Sequence, residues 1–221
     1  MRAVRGAARS AGCAVIGLAL AVAFAHAAAL NREQAIAALA NRDDVAARRQ
    51  GAEGLGETGG MGDVPALTQA LRDPDTEVRT LAEQSLWRVW SRSGDPDADR
   101  TLANGVEEMQ RGDLAEAVGT FTELIKRKPD FAEAWNKRAT AYYLAGDFEK
   151  SLADCDEVMK RNPVHFGALS GYGMIYLQLG KPEEALPYFQ RALDVNPNLA
   201  GIAQAVQTIQ QFLEQQRKDT I

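Results

Sequence analysis

The pattern of apolar, small and polar positions repeats at a fixed interval through the stretch 98–198, with Pro129, Pro163 and Pro197 marking the period. Small residues stand in register at Gly105, Ala139 and Gly173 and again at Ala117, Ser151 and Ala185. Bulky or apolar residues return at Trp135 and Leu169, Tyr142 and Tyr176, Phe121 and Phe189, and Leu124 and Val158. Each unit is predicted to be two antiparallel helices that cross where small residues let the backbones approach. Gly112, Gly146 and Gly180 are expected to close the first helix, because glycine adopts a left-handed conformation at little cost. Each proline ends the second helix, having no amide hydrogen to continue the ladder. Beyond Pro197, the residues Leu199, Ile202, Val206, Ile209 and Leu213 form an apolar stripe at spacings of three and four. That stripe predicts an amphipathic helix over 199–217 covering the open end of the last pair.

Some positions depart from the pattern. Thr101 and Glu108 replace the aromatic or aliphatic residues of the other units, which weakens the core face of the first helix. Cys155 stands where the other units carry Phe121 and Phe189, so looser packing is expected in the middle unit. Pro187, inside the last second helix, predicts a kink.

A shorter pattern precedes these units. Asp44, Arg48 and Leu55 return in the same spacing as Asp75, Arg79 and Leu86, with Val64, Pro65, Ala66, Leu67 and Leu71 between them. Asp75 is expected to cap a helix beginning near Thr76, with Val78, Leu81, Ala82, Ser85, Leu86 and Val89 along one stripe. Gly54, Gly56, Gly59, Gly60 and Gly62 read as a mobile connection. Ser93, Gly94, Asp95, Pro96 and Asp97 mark the boundary between the two patterns. Two short units bury little apolar surface alone, so this half is expected to dock on the other through Trp87 and Trp90, which lie one turn apart. The competing reading makes those tryptophans anchors for a partner.

The longer pattern resembles the tetratricopeptide repeat, most densely at Trp135, Ala139, Tyr142, Gly146, Ser151 and Pro163. The shorter pattern resembles short HEAT repeats. Together they imply an all-α fold, a right-handed superhelical stack of helical hairpins. HEAT-like helices would occupy 30–92, and tetratricopeptide units 98–131, 132–165 and 166–198, followed by the capping helix. By this resemblance the first helix of every unit lines a concave groove. The groove residues would be Leu102, Val106 and Met109, then Asn136, Thr140 and Tyr143, then Ser170, Met174 and Leu177. Tyr143, Met174 and Leu102 would be apolar anchors, with Asn136 hydrogen-bonding a partner's backbone; the alternative is that Tyr143 and Met174 only pack against neighbouring helices. Family members that hold chaperone tails grip a peptide carboxylate from the positions filled here by Leu102, Val106, Lys137, Gly167 and Gly171. Only Lys137 keeps the needed chemistry, so that specificity is not expected.

The first residues read as an export signal. Arg2, Arg5 and Arg9 precede the apolar run from Ala11 to Phe24, and Ala25, His26 and Ala27 supply small residues at a cleavage site. Residues 1–27 are expected to be removed, which places the protein in the periplasm or outside the cell; an uncleaved membrane anchor is the competing reading. Removal takes three of the 25 basic residues and none of the 30 acids, moving the formal charge from −5 to −8. An acidic chain is repelled by nucleic acid and by anionic membranes, so neither is an expected partner.

Cys155 and His165 are then the only thiol and the only imidazole. No disulfide within the chain is available, and Cys155 is expected to be buried. One histidine and one cysteine make neither a zinc site nor a nucleophile with its base. Gly59, Gly60 and Gly62 lack the lysine and hydroxyl residue of a phosphate loop. No catalytic, cofactor-binding or metal-binding residue is assigned, and no small-molecule substrate is evident. The expected function is a non-enzymatic scaffold holding a protein or peptide in the groove. A self-associating structural module, or a membrane-tethered assembly factor if the signal is retained, are the alternatives.

Overall fold

The computed structural model describes residues 29–219. The expected signal segment lies outside the described residues. Among those described there are eleven α-helices and no strand.

The repeating half is built from three hairpins and a final helix. They are α5 (Pro96–Arg111) with α6 (Leu114–Arg127), α7 (Ala132–Ala145) with α8 (Phe148–Arg161), α9 (Phe166–Gln178) with α10 (Pro182–Val195), and then α11 (Ala200–Asp219). Gly112, Gly146 and Gly180 sit at the hairpin turns with φ of 86°, 81° and 69°, the left-handed region that a side chain disfavours. The second helices stop just before Pro129, Pro163 and Pro197, as the missing amide hydrogen requires.

Small and large residues meet in matched pairs at the crossings. A β-carbon on Gly105 would fall 2.5 Å from the Phe121 ring, and one on Gly173 would fall 2.3 Å from the Phe189 ring. The middle hairpin has Ala139 and Cys155 instead, and there the Ser151 hydroxyl donates to the Ala139 carbonyl at 2.7 Å. Each hairpin packs on the next, α6 on α7, α8 on α9 and α10 on α11. The first helices are neighbours as well, α5 beside α7 and α7 beside α9, which sets them along one face of the stack. Pro187 lies within α10, which runs on from Pro182 to Val195 without a break.

The preceding half contains α1 (Arg32–Leu39), α2 (Val45–Thr58), a 3-10 turn (Met61–Asp63), α3 (Val64–Ala70) and α4 (Thr76–Trp90). Asn31, Asp44 and Asp75 each accept a backbone N–H from the first turn of α1, α2 and α4. Arg48 and Arg79 do the same work at matching positions of the two short units, each donating to carbonyls of the turn before its own helix: Asn41 and Arg42 for the first, Asp73 and Pro74 for the second.

The glycines expected to form a mobile connection lie elsewhere. Gly54 and Gly56 are buried inside α2, as is Gly51. A β-carbon on Gly51 would fall 2.2 Å from the Leu39 amide nitrogen and one on Gly56 would fall 2.4 Å from Ser85 Oγ. These glycines let α1 and α4 approach α2 closely, and that packing offsets their poor helix propensity. Only Gly59 and Gly60 fall between α2 and the 3-10 turn, with Gly62 inside it. Arg92 holds that end of α2 by donating to the carbonyls of Gly56, Glu57 and Gly59.

The two halves share one core. Phe166 belongs to the cluster of Leu55, Leu67, Leu86 and Trp90, with Val164, Val195 and Leu199 packed against it. Polar ties bind the same seam. Arg72 donates to the carbonyls of Asp194 and Val195, Asn198 donates to the Leu71 carbonyl at 2.8 Å, and Asn196 donates to Glu83 at 3.0 Å. The first half therefore docks on the segments that link α8 to α9 and α10 to α11.

Candidate functional site

Between α7 and α9 a half-open pocket of about 140 Å³ is lined by Asn136, Thr140, Tyr143 and Met174, with Gly167, Ala168, Gly171 and Ile175 alongside. Ala139, Ser151 and Cys155 complete the lining. No lining side chain carries a charge. The pocket lies where the middle hairpin has cysteine in place of phenylalanine, and Gly171 opens it, because a β-carbon there would meet only Cys155 Sγ, at 3.6 Å.

Four of the nine groove residues expected from the sequence meet at this pocket: Asn136, Thr140, Tyr143 and Met174. Met174 is 40% exposed. Tyr143 reaches across to α9, where its hydroxyl accepts a hydrogen bond from Gln178 at 3.3 Å. The other five lie apart. Leu102 is 4% exposed in the core with Phe121 and Leu124, so little of it is available as an anchor, and Val106 and Met109 pack on that core half-buried. Ser170 donates its hydroxyl to the Phe166 carbonyl. Leu177 packs with Phe189 and Val206 under α11.

One end of the pocket adjoins a buried polar cluster that the sequence did not suggest. Glu133 and His165 are fully buried, with Glu133 Oε2 2.9 Å from His165 Nε2. His165 Nδ1 accepts the Ala168 N–H at 3.1 Å and so caps α9. A nitrogen that accepts carries no proton, so the hydrogen sits on Nε2 and is donated to Glu133. Asn136 also donates to Glu133 Oε2, at 3.2 Å. Lys137 Nζ stands 3.0 Å from Glu133 Oε1 as an ion-pair contact rather than an aligned hydrogen bond. Burial works most strongly against the Glu133 charge, but the hydrogen bond from His165 and the charge of Lys137 outweigh it and hold the carboxyl below its ordinary range.

Trp90 lies stacked on the His165 ring at 4.4 Å between centroids, and Trp87 packs edge-on against Phe166 at 5.2 Å. Trp87 also places its ring against Gly167, with Lys137 Nζ 5.6 Å from its centroid. The expectation that these tryptophans join the halves agrees with this arrangement. Glu133 and His165, whose ring both tryptophans contact, are distant in sequence and become a buried pair only through the fold.

A wider open cleft of about 730 Å³ lies in the first half between α1, α2 and the end of α3. Arg48 in its wall is held by Asp73, and Arg72 by the carbonyls at the end of α10. No group of three or more His, Cys, Asp or Glu side chains able to hold a metal ion occurs among the described residues. No described helix is long and apolar enough to cross a membrane.

Residues 130–198, which hold α7 to α10 and the whole lining of this pocket, match the tetratricopeptide repeat family model. That stretch is similar to tetratricopeptide repeats. A TPR repeat-containing protein of Rhizobium etli is 33% identical over 131 residues, which is 59% of this chain and 64% of that protein. The chain thus spans less than two thirds of that relative's length. The first TPR of Spaghetti (RPAP3), solved bound to the HSP90 peptide SRMEEVD, superposes with a TM-score of 0.51 at 26% identity, over 53% of this chain and 93% of that one. The Sgt2 TPR domain of Aspergillus fumigatus shares the fold with a TM-score of 0.53 at 19% identity, over 56% of this chain and 83% of that one.

Proposed function

We propose that this protein is a non-enzymatic, exported interaction scaffold that holds a segment of a partner protein along the face formed by α5, α7 and α9. The uncharged pocket between α7 and α9 is the observation that supports this most, because it is concave, partly apolar and bordered by exposed Met174. The peptide seen on the related RPAP3 domain supports peptide capture as the general mode. In this reading α1–α4 are a short HEAT-like unit that stiffens the stack, and α11 is its cap. Residues 1–27 would direct export and be cleaved.

Affinity capture from the exported fraction, with the unsubstituted chain and with Tyr143→Ala and Met174→Ala, tests the binding claim. Partners retained by the former and lost from the variants, with helical circular dichroism unchanged, would support it. Equal loss of fold and capture would place both residues in the core. Intact mass of the exported protein decides whether the segment 1–27 is gone.

Self-association is the second reading, and Phe212 on α11, 48% exposed, favours it. Light scattering on the purified chain separates the two, since only self-association gives a dimer mass without a partner.

A further inference from the structure

The pocket's immediate surroundings restrict what can enter it. Lys137, the only cation at a position that related domains use to grip a peptide carboxylate, is 3.0 Å from the buried Glu133 carboxylate, so its charge is already answered within the protein. Gly167 and Gly171 supply no side chain, and the Trp87 ring closes over Gly167. A free carboxylate at this end would face uncharged walls and a fully buried acid. An apolar group meets a better match. A cavity of roughly 150 Å³ admits a benzene-sized group, and this one measures about 140 Å³ with Ala139, Cys155, Ala168 and Ile175 among its walls. At its edge Asn136 donates to Glu133, while its Oδ1 has no hydrogen bond among the described residues and can take a peptide N–H.

We propose that this pocket is a subsite for one apolar side chain, of leucine to phenylalanine size, presented by an uncharged internal stretch of an extended peptide, and that an acidic carboxyl-terminal tail is not its ligand. The proposal rests on the groove reading above and adds the chemistry of the occupant. Absence of a β-carbon at Gly171 creates the opening, and the side chain enters over that residue towards Cys155. Asn136 fixes the peptide backbone beside it.

The test pans a random dodecapeptide library on the full chain in two formats, one ending in a free carboxylate and one embedded between Gly-Ser flanks. Both formats should enrich uncharged peptides centred on one apolar residue, and the peptide SRMEEVD should show no binding by titration. Gly171→Leu, which fills the pocket, should weaken the selected peptides about tenfold or more. Gly171→Ala should weaken them less, because its methyl would meet only Cys155 Sγ at an ordinary contact distance; both variants are checked for folding by circular dichroism. Enrichment of acidic free-carboxylate peptides, or equal binding to Gly171→Leu, overturns the proposal. If selected peptides are lost with Tyr143→Ala yet ignore Gly171→Leu, the groove reading stands and the pocket proposal falls. No enrichment in either format removes both.

Discussion

Trp87 and Gly167 are in such close register that the tryptophan's Cη2 atom lies 2.5 Å from where a β-carbon on Gly167 would be. A residue of the α1–α4 half therefore uses the missing side chain of a residue at the start of α9. Neither position explains itself within its own repeat.

Gly167→Ala should separate the halves at this point. The added methyl cannot be accommodated by a terminal rotation, because the whole indole is held between Trp90 and Phe166. Overpacking of this kind costs about 1–3 kcal/mol, to be read as a lower thermal midpoint with changed tryptophan fluorescence. Gly171→Ala, one turn further along α9, should be neutral or stabilising, since its methyl has room and alanine favours helix by up to about 1 kcal/mol. Equal destabilisation by both would show that the Trp87 contact is not what Gly167 serves.

The hairpin crossings offer a second test. Gly173→Ala should destabilise because its methyl would strike the Phe189 ring. Combining it with Phe189→Cys reproduces the Ala139 and Cys155 pair of the middle hairpin. The pair should lose less stability than the sum of the two single changes, measured by denaturant unfolding, because the smaller residue relieves the clash. Additive losses would mean that the two crossings are not equivalent.

These crossings also show what the sequence could disclose. Glycine turns, proline stops and small-to-large pairing are local or recur at a fixed period, so the hairpins of 98–198 were legible without coordinates. The glycines of α2 were not. Helical propensity argues against Gly51, Gly54 and Gly56 inside a helix, and only the approach of α1 and α4 explains them. Leu102 misled for a related reason, since the first hairpin's helix turns that residue into the core with Phe121. The Glu133–His165 pair was invisible because its burial depends on Trp87 and Trp90 arriving from the other half. The signal that could have found the pocket was the joint appearance of Cys155 in place of phenylalanine and glycine at 167 and 171.

The buried acid predicts a response to pH. Glu133 sits below its ordinary range in the folded chain, so the unfolded chain binds protons more readily in acid. Its contribution to stability is present above the unfolded carboxyl value of about 4.3 and is lost as pH falls through the lower folded value. Glu133→Gln should flatten the acid side of a stability-against-pH curve. His165→Ala at neutral pH should cost about 1–3 kcal/mol, because it removes one hydrogen-bond donor from the buried carboxylate. His165→Asn, which retains a capping acceptor for α9, should cost less. A loss confined to the cap would leave the acid limb unchanged in both.

Burial, and then the charges of Asp154 and Asp156, push the Cys155 thiol up to about 12. Native protein at pH 8 should therefore resist iodoacetamide, with one alkylation by mass appearing only after denaturation. Fast native labelling would mean that the pocket opens to its floor without a ligand.

The central claim is that the α7–α9 face receives a peptide, and amide hydrogen exchange on the full chain, free and saturated with a library-selected peptide, tests it most directly. Slowed exchange over 136–144 and 167–178, with α1–α4 and α11 unchanged, is the predicted result. Protection confined to α11 or to the α1–α3 cleft, or none anywhere, would contradict it.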